Sequence, residues 1–247
     1  MTAYGSLAAS YDGLTWDVPY EKMAQFFLRL CKRHHCAPET VLDLACGTGS
    51  LAILLAKQGY RVLGADCAEQ MLTQASAKSA DMDNAPYWIL QTMQNLRLPQ
   101  PVDAVVCCLD SVNYLTRAKD CARTFQRVYD ALRPGGLFVF DVNTPEKLRG
   151  LDGQVFLDEN EDSYCVWRAE FSERKHLCRY GMDIFQRDGA LWRRSAEEHL
   201  EYAYELPELE DYLRTAGFAD VQIYGDRVLR APEEGAQRVW FAAKKEK

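Results

Sequence analysis

Up to about residue 150, short apolar segments alternate with segments whose apolar residues recur every three or four positions. The short segments predict buried strands, and the periodic segments predict helices with one apolar face. The predicted strands cover residues 40–47, 60–66, 86–91, 102–109 and 137–142. The predicted helices cover residues 19–34, 50–59, 68–80 and 119–136. This alternation is typical of an α/β fold in which helices cover both faces of a parallel sheet.

The pattern changes between residues 150 and 203, where polar and apolar residues alternate without a helical period. Such alternation predicts antiparallel strands with one exposed face. Plausible hairpin turns occur at residues 172–175 and at Asp188–Gly189. This part of the chain therefore predicts an antiparallel β insertion.

The α/β pattern returns after the insertion. A helix is predicted at residues 207–218, followed by strands at residues 220–226 and 238–244. The insertion thus separates two parts of one sheet. We interpret the chain as an N-terminal helical cap (1–36), one Rossmann-like α/β domain (37–149 and 204–247) and an insertion over the active site (150–203).

Composition narrows the classes of protein to consider. The chain has 247 residues, 48% of them apolar and 26% charged, which are ordinary values for a soluble globular protein. Its net charge of −7 disfavours a nucleic-acid or anionic-membrane partner. The nine cysteines have no regular spacing, which favours reduced thiols. No apolar run is long enough to cross a bilayer and the first residues do not resemble a signal peptide, so we expect a cytoplasmic protein.

The segment VLDLACGTGS, at residues 41–50, indicates a cofactor site. A strand runs directly into Gly47 and Gly49, which let the backbone approach a ligand closely. The helix that follows directs its first N–H groups at the same place. Asp66 ends the next predicted strand, where a carboxylate can accept hydrogen bonds from both hydroxyls of a ribose.

Two cofactors fit this arrangement. The segment GTGSLA also satisfies the G-x-G-x-x-A pattern of NAD-binding proteins. Asp43 favours a different ligand, because a carboxylate beside the glycine turn repels a pyrophosphate and attracts an ammonium group. S-adenosylmethionine carries an ammonium, a sulfonium and a ribose.

Four segments closely resemble the ordered motifs of class I S-adenosylmethionine-dependent methyltransferases: residues 41–49, 62–72, 103–115 and 132–142. The N-terminal segment YGSLAASYDGLTWDVPY is similar to that of the small-molecule branch, which includes glycine and sugar-amine N-methyltransferases. The resemblance implies a doubly wound seven-stranded sheet in the order 3-2-1-4-5-7-6, with the last strand antiparallel and an antiparallel β insertion after strand 5. It also implies S-adenosylmethionine as cofactor and S-adenosylhomocysteine as product.

The implied reaction is direct displacement of the methyl group by a nitrogen or oxygen atom of a small-molecule acceptor. The alternatives are an NAD(P)-dependent oxidoreductase and a non-catalytic protein that binds S-adenosylmethionine. We expect no metal site and no membrane partner, and a homodimer stays open.

The resemblance also assigns site residues. The cofactor-binding candidates are Tyr11, Asp43, Ala45, Cys46, Gly47, Gly49, Asp66, Cys67, Met71, Thr92, Met93, Gln94, Leu109, Asp110 and Ser111. Because Thr92 stands where the family commonly has an acidic residue, Thr92 or Gln94 is expected to accept the adenine amino group, with Met93 packing on the ring. The catalytic candidates are Tyr11, Tyr114 and His199. Other aromatic and polar residues expected to close the site are Tyr4, Trp16, Tyr20, Asn113, Trp167 and Tyr180.

Overall fold

The structure is a computed structural model that describes Ala8 and residues 10–247. Its helices are α1 (Tyr11–Leu14), α2 (Tyr20–Arg33), α3 (Ser50–Lys57), α4 (Glu69–Ser79), α5 (Ala118–Ala131), α6 (Pro145–Gly150) and α7 (Leu206–Ala216). Its strands are β1 (Thr40–Leu44), β2 (Arg61–Asp66), β3 (Tyr87–Leu90), β4 (Val102–Cys107), β5 (Leu132–Asn143), β6 (Val155–Glu159), β7 (Ser163–Ser172), β8 (Leu177–Asp188), β9 (Leu191–Tyr202), β10 (Asp220–Gly225) and β11 (Arg238–Lys244). Two short 3₁₀ turns lie at Met93–Asn95 and Ser111–Tyr114.

The larger sheet has seven strands in the order β3-β2-β1-β4-β5-β11-β10. The pairs among β1 to β5 are parallel, and β11 is antiparallel to both β5 and β10. This confirms the predicted order, in which the last strand of the chain inserts antiparallel between its two neighbours.

Both faces of this sheet are buried. Along β5, Phe138 and Phe140 pack with α5 and α7 on one face, whereas Leu137 and Val139 pack with α2 and α3 on the other. Successive strand residues point to opposite faces, so a strand that is apolar at every position belongs in a sheet covered on both sides.

Strands β6 to β9 form a separate antiparallel sheet in chain order. β7 and β8 pair as far as Ser172 with Leu177, so the turn spans residues 173–176, one residue later than predicted. The boundaries given above for the cap, the α/β domain and the insertion stay a prediction.

Helix α5 ends earlier than the sequence pattern suggests. The sequence pattern predicts a helix closed by Pro134, Gly135 and Gly136, but α5 stops at Ala131 and β5 begins at Leu132. Pro134 explains the difference, since the residue before a proline is pushed out of the helical conformation. Within the described residues, no helix is both long and apolar enough to cross a membrane.

Candidate active site

A cavity of about 150 Å³ lies at the carboxyl ends of β1, β2 and β4. Most of the predicted cofactor-binding residues line it: Tyr11, Asp43, Ala45, Cys46, Gly47, Asp66, Cys67, Met71, Met93, Leu109 and Ser111. The sequence reasoning missed Leu51 and Cys108 in this lining, and it did not assign Tyr20 or Tyr114 to this cavity. The structure thus brings residues from distant parts of the chain to one edge of the sheet.

Asp43 lines this cavity but is itself 2% exposed. Its Oδ2 atom has no hydrogen-bond partner among the described residues. Burial raises the pKa of Asp43 to about 8, and the nearby Asp66 carboxyl adds to the shift. A buried carboxylate oxygen without a partner is costly unless a ligand supplies a donor or a positive charge.

Asp66 organises the glycine turn. Its Oδ2 atom accepts a hydrogen bond from the Gly47 N–H at 2.9 Å, and its Oδ1 atom accepts one from the Ala68 N–H at 2.8 Å. Burial raises the pKa of Asp66. Each carboxylate oxygen has a second lone pair, so the same side chain can hold the turn and still accept from a ligand in the cavity.

Gly49 and Gly47 both have positive φ angles, of 77° and 55°. A Cβ on Gly49 would collide with the ring of Trp88, whereas a Cβ on Gly47 would meet no atom of the described residues within 4 Å. Gly49 does not line the cavity. Its small size therefore serves the packing of Trp88 beneath the turn.

Three other predicted cofactor residues do not line this cavity: Thr92, Gln94 and Asp110. Thr92 accepts a hydrogen bond from the Asn95 side chain at 3.0 Å, and Asp110 faces a neighbouring cavity. Leu109 and Asp110 both have positive φ angles, of 57° and 50°. This uncommon loop conformation turns Leu109 towards one cavity and Asp110 towards the other.

The second cavity, of about 440 Å³, lies between the large sheet, α1 and the antiparallel sheet. Its apolar lining consists of Leu14, Leu151, Phe156, Cys165, Trp167, Tyr180 and Met182, and its polar lining of Thr15, Asp110, Asn143, Lys147, Asp158, His199 and Glu201. Tyr11 and Tyr114 line both cavities. The two cavities therefore meet at these two tyrosines.

A buried histidine stands behind one of these tyrosines. The hydroxyl of Tyr114 lies 3.3 Å from Nδ1 of His199, and Nε2 of His199 lies 3.0 Å from a carboxylate oxygen of Glu197. The side chains of His199 and Glu197 are 3% and 7% exposed. A phenol, an imidazole and a carboxylate in this order can hold a proton and pass it on.

A second polar group borders the larger cavity. Arg238 forms an ion pair with Asp110 at 2.6 Å and another with Asp141. Next to them, the Asn143 amide donates to Glu201 at 2.9 Å and accepts from Lys147 at 2.8 Å. These residues come from four separate stretches of the chain.

The sequence reasoning did not single out Glu197, Glu201, Lys147 or Arg238. One signal was available, because Glu197, His199 and Glu201 occupy alternate positions of β9 and so share a face. Nothing local to Arg238 or Lys147 marks them.

The residues expected to close the site lie in different places in the structure. Trp167 and Tyr180 line the larger cavity, and Tyr20 lines the smaller one. Asn113 is fully buried and bonds the backbone of Asn143. Trp16 is 81% exposed and lines neither cavity, so its predicted part in closing the site is wrong. Tyr4 lies outside the described residues.

Helix α1 is fastened over the glycine turn. Asp12 accepts a hydrogen bond from Thr48 at 2.5 Å and pairs with Lys78 at 2.7 Å. On its other side, Ser10 bonds Ser163 at 2.9 Å. These contacts hold Tyr11 in the wall between the two cavities.

Comparison with known proteins shows related chains and folds. Residues 41–136 match the family described as methyltransferase domain. A protein named as a methyltransferase, from a Geobacillus species, is 32% identical over 245 residues, which are 98% of this chain and 99% of that protein. A glycine/sarcosine N-methyltransferase from Halorhodospira halochloris is 28% identical over 87% of this chain and 78% of that protein.

Solved structures agree with the fold. An S-adenosylmethionine-dependent methyltransferase from Clostridium acetobutylicum superposes with a TM-score of 0.88 and 29% identity, covering all of both chains. A sugar N-methyltransferase from a Streptoalloteichus species superposes with a TM-score of 0.79 and 20% identity, covering 94% of this chain and 90% of that one. At that identity the second likeness shows the shared fold alone.

Proposed function

This chain belongs to the class I S-adenosylmethionine-dependent methyltransferases, and we propose that it methylates a nitrogen or oxygen atom of a small molecule held in the larger cavity. The observation that carries the proposal is the shared wall of Tyr11 and Tyr114, where the cavity of about 150 Å³ adjoins a second cavity of about 440 Å³. Cavities of that volume are typical of small-molecule sites. The relative named as a glycine/sarcosine N-methyltransferase supports a small acceptor.

The residues of the smaller cavity fit S-adenosylmethionine. The unpartnered Oδ2 atom of Asp43 suits the positive charge of the cofactor's amino acid part. Asp66 would accept hydrogen bonds from the ribose, and Met71 and Met93 supply apolar contacts for the adenine. When bound, the cofactor supplies a methyl group already activated on a sulfonium.

The protein's part in the reaction is then mainly alignment. Tyr11 and Tyr114 stand where the acceptor must approach, and their rings attract positive charge. Holding two reactants in line in this way can lower a barrier by about 7–11 kcal/mol. The antiparallel sheet and α1 supply most of the lining of the larger cavity.

A proton must leave the attacking atom, and Tyr114 and His199 are placed to take it. Tyr114 faces the acceptor cavity, and His199 behind it is oriented by Glu197. General bases of this kind typically contribute about 10²–10⁴-fold to a rate.

The alternatives differ in what they require of the site. An NAD(P)-dependent oxidoreductase would need a pyrophosphate beside Asp43, whose carboxyl supplies no positive charge to neutralise it and repels it once ionised. A non-catalytic protein would bind S-adenosylmethionine without turning any acceptor over. The cytoplasmic location and a homodimer stay predictions.

Isothermal titration calorimetry separates these functions. We expect heat from S-adenosylmethionine and S-adenosylhomocysteine and none from NAD⁺ or NADP⁺. Release of S-adenosylhomocysteine in the presence of a mixture of small amines and alcohols would then establish turnover. Heat from NAD⁺ with none from S-adenosylhomocysteine would overturn the proposal.

A further inference from the structure

The polar end of the larger cavity carries more carboxyl groups than cations. Asp110, Asp141 and Glu201 lie there with Arg238 and Lys147, three acidic groups against two basic ones. Asp110, Lys147 and Glu201 line the cavity directly. Such a buried cluster is neutral only if one carboxyl keeps its proton or a ligand supplies the missing positive charge.

Arg238 already forms ion pairs with two acidic side chains of the protein. Its guanidinium pairs with Asp110 at 2.6 Å and with Asp141, whose side chain is fully buried. Two carboxylates therefore share one guanidinium, and Arg238 has no remaining charge to offer to Glu201.

Among the described residues, Glu201 is the carboxyl group of this cluster with no partner cation. It is 3% exposed, and it accepts one hydrogen bond, from the Asn143 side chain at 2.9 Å. Among the described residues, no basic nitrogen lies within 4 Å of its carboxylate. Lys147 reaches only the other end of the same amide, at 2.8 Å. Burial raises the pKa of Glu201 well above its usual range, and the charge of Asp110 adds to the effect.

The walls of this cavity suit a flat, apolar body. Phe156 stacks on Trp167 with ring centres 4.2 Å apart, and Tyr180 meets Trp167 edge-on at 5.6 Å. Leu14 and Met182 complete the apolar wall. Aromatic faces also attract cations, so the walls and the carboxylates favour the same charge on a ligand.

We infer that the acceptor is an amine that enters as a cation on a flat, largely apolar body, with its ammonium group at Glu201 and its body against Trp167. The ammonium gives one proton to the Glu201 carboxylate, and the freed lone pair forms the N–C bond as the bond between methyl and sulfur breaks. The second proton then leaves the methylated nitrogen through Tyr114 and His199. The inference rests on the proposed function and names the acceptor class for the same cavity. A cation supplies the missing charge. A zwitterion, a neutral alcohol or an anion leaves the excess of negative charge in place or increases it.

The test uses protein saturated with S-adenosylhomocysteine and four probes that share one ring and differ in charge. They are phenethylamine, 2-phenylethanol, phenylalanine and 3-phenylpropionate, titrated by calorimetry at neutral pH. We expect phenethylamine to bind at least about tenfold more tightly than the other three. Equal or tighter binding of any of the other three, or no binding of phenethylamine at millimolar concentration, would overturn the inference.

Two variants and a control locate the effect. Glu201→Gln keeps the shape and can still accept from Asn143, and we expect it to weaken phenethylamine binding about tenfold or more. Glu198→Gln is the matched control, since Glu198 lies on the opposite face of β9 and pairs with the exposed Arg179. It should leave binding unchanged. Lys147→Met should leave phenethylamine binding equal or tighter, and a loss there would contradict the charge argument.

Cofactor binding separates this inference from the function on which it rests. If S-adenosylhomocysteine does not bind the native protein, the proposed function fails. If it binds equally to the native protein and to Glu201→Gln, and both proteins bind phenethylamine equally, only the inference fails.

Discussion

At the scale of single residues, Asp43 makes the charge of the cofactor cavity depend on pH. Its pKa is raised to about 8 by burial, so in the ligand-free protein the carboxyl gains its charge only as pH rises towards that value. Because the ionised form attracts a cation, we expect affinity for S-adenosylmethionine to increase from pH 6 to 8 and to level off above. Calorimetry at several pH values from 6 to above 8 measures this change in affinity.

The variant Asp43→Asn tests the same residue. We expect it to bind S-adenosylmethionine about 10- to 100-fold more weakly and to lose the slope with pH. For a raised carboxyl pKa, folding stability falls as pH rises from about 4, the unfolded value, to about 8. The ligand-free variant should therefore lose less stability over that range than the native protein. An unchanged slope would rule out Asp43 as the source.

Tyr114 gives a second prediction at this scale. Tyr114→Phe keeps the ring in the wall between the cavities but removes the hydroxyl that faces His199. We expect S-adenosylhomocysteine to bind as before and turnover of any accepted amine to fall about 10²–10⁴-fold. Tyr87→Phe, at a 73% exposed position, is the control. Unchanged turnover in Tyr114→Phe would remove the proton relay from the mechanism.

The sequence predicts one half of the site much better than the other. Asp43, Gly47 and Asp66 could be placed because each lies at a strand end that local pattern reveals. Arg238 reaches Asp110 only because β11 inserts beside β5, which sets Arg238 opposite Asn143. No local pattern carries that information, so the acceptor end of the site needed the structure.

At the scale of elements, side-chain contacts hold α1 against the glycine turn. Its Asp12 joins Thr48 of the glycine turn and Lys78 of α4. We expect Asp12→Ala to speed S-adenosylmethionine dissociation several-fold, as measured by stopped-flow fluorescence. The melting temperature should hardly change, since a partly exposed ion pair contributes about 0–1 kcal/mol.

A matched control exists for the contacts of Asp12. Glu39→Ala breaks the exposed pair with Arg61, far from the cavities. It should change neither the dissociation rate nor the melting temperature. If both variants speed dissociation equally, the contact at Asp12 has no special role.

The glycine turn gives another prediction at the element scale. Both glycines have positive φ, which costs other residues about 1–2 kcal/mol. Gly49→Ala also drives a methyl group into Trp88, whereas the methyl group of Gly47→Ala meets no neighbouring atom among the residues that the structure describes. We expect urea denaturation to show a larger stability loss for Gly49→Ala, by about 1–3 kcal/mol. Equal losses would contradict the packing role of Gly49.

The pattern of apolar and polar residues does not predict the exact boundaries of the elements. The helix ending at Ala131 and the turn at residues 173–176 were each misplaced, because apolar periodicity does not mark the residue where backbone geometry changes. Proline at position 134 held the decisive signal for the first of them.

At the scale of the whole molecule, alternation of strands and helices indicated the fold class, and the resemblance of ordered motifs supplied the strand order. The structure confirms that order, with β11 antiparallel between β5 and β10. The position of the antiparallel sheet over the large one depends on contacts between distant segments. The second cavity, which we propose as the acceptor site, was therefore beyond what the sequence alone could predict.

The central claim is that two cavities meet at Tyr11 and Tyr114, one for the methyl donor and one for the acceptor. A crystal structure with S-adenosylhomocysteine tests it most directly. We expect the amino group of that ligand within hydrogen-bond distance of Asp43, its ribose at Asp66, and its sulfur beside the two tyrosines and facing the cavity of about 440 Å³. A sulfur atom that faces away from that cavity, or a ligand bound elsewhere, would contradict the account.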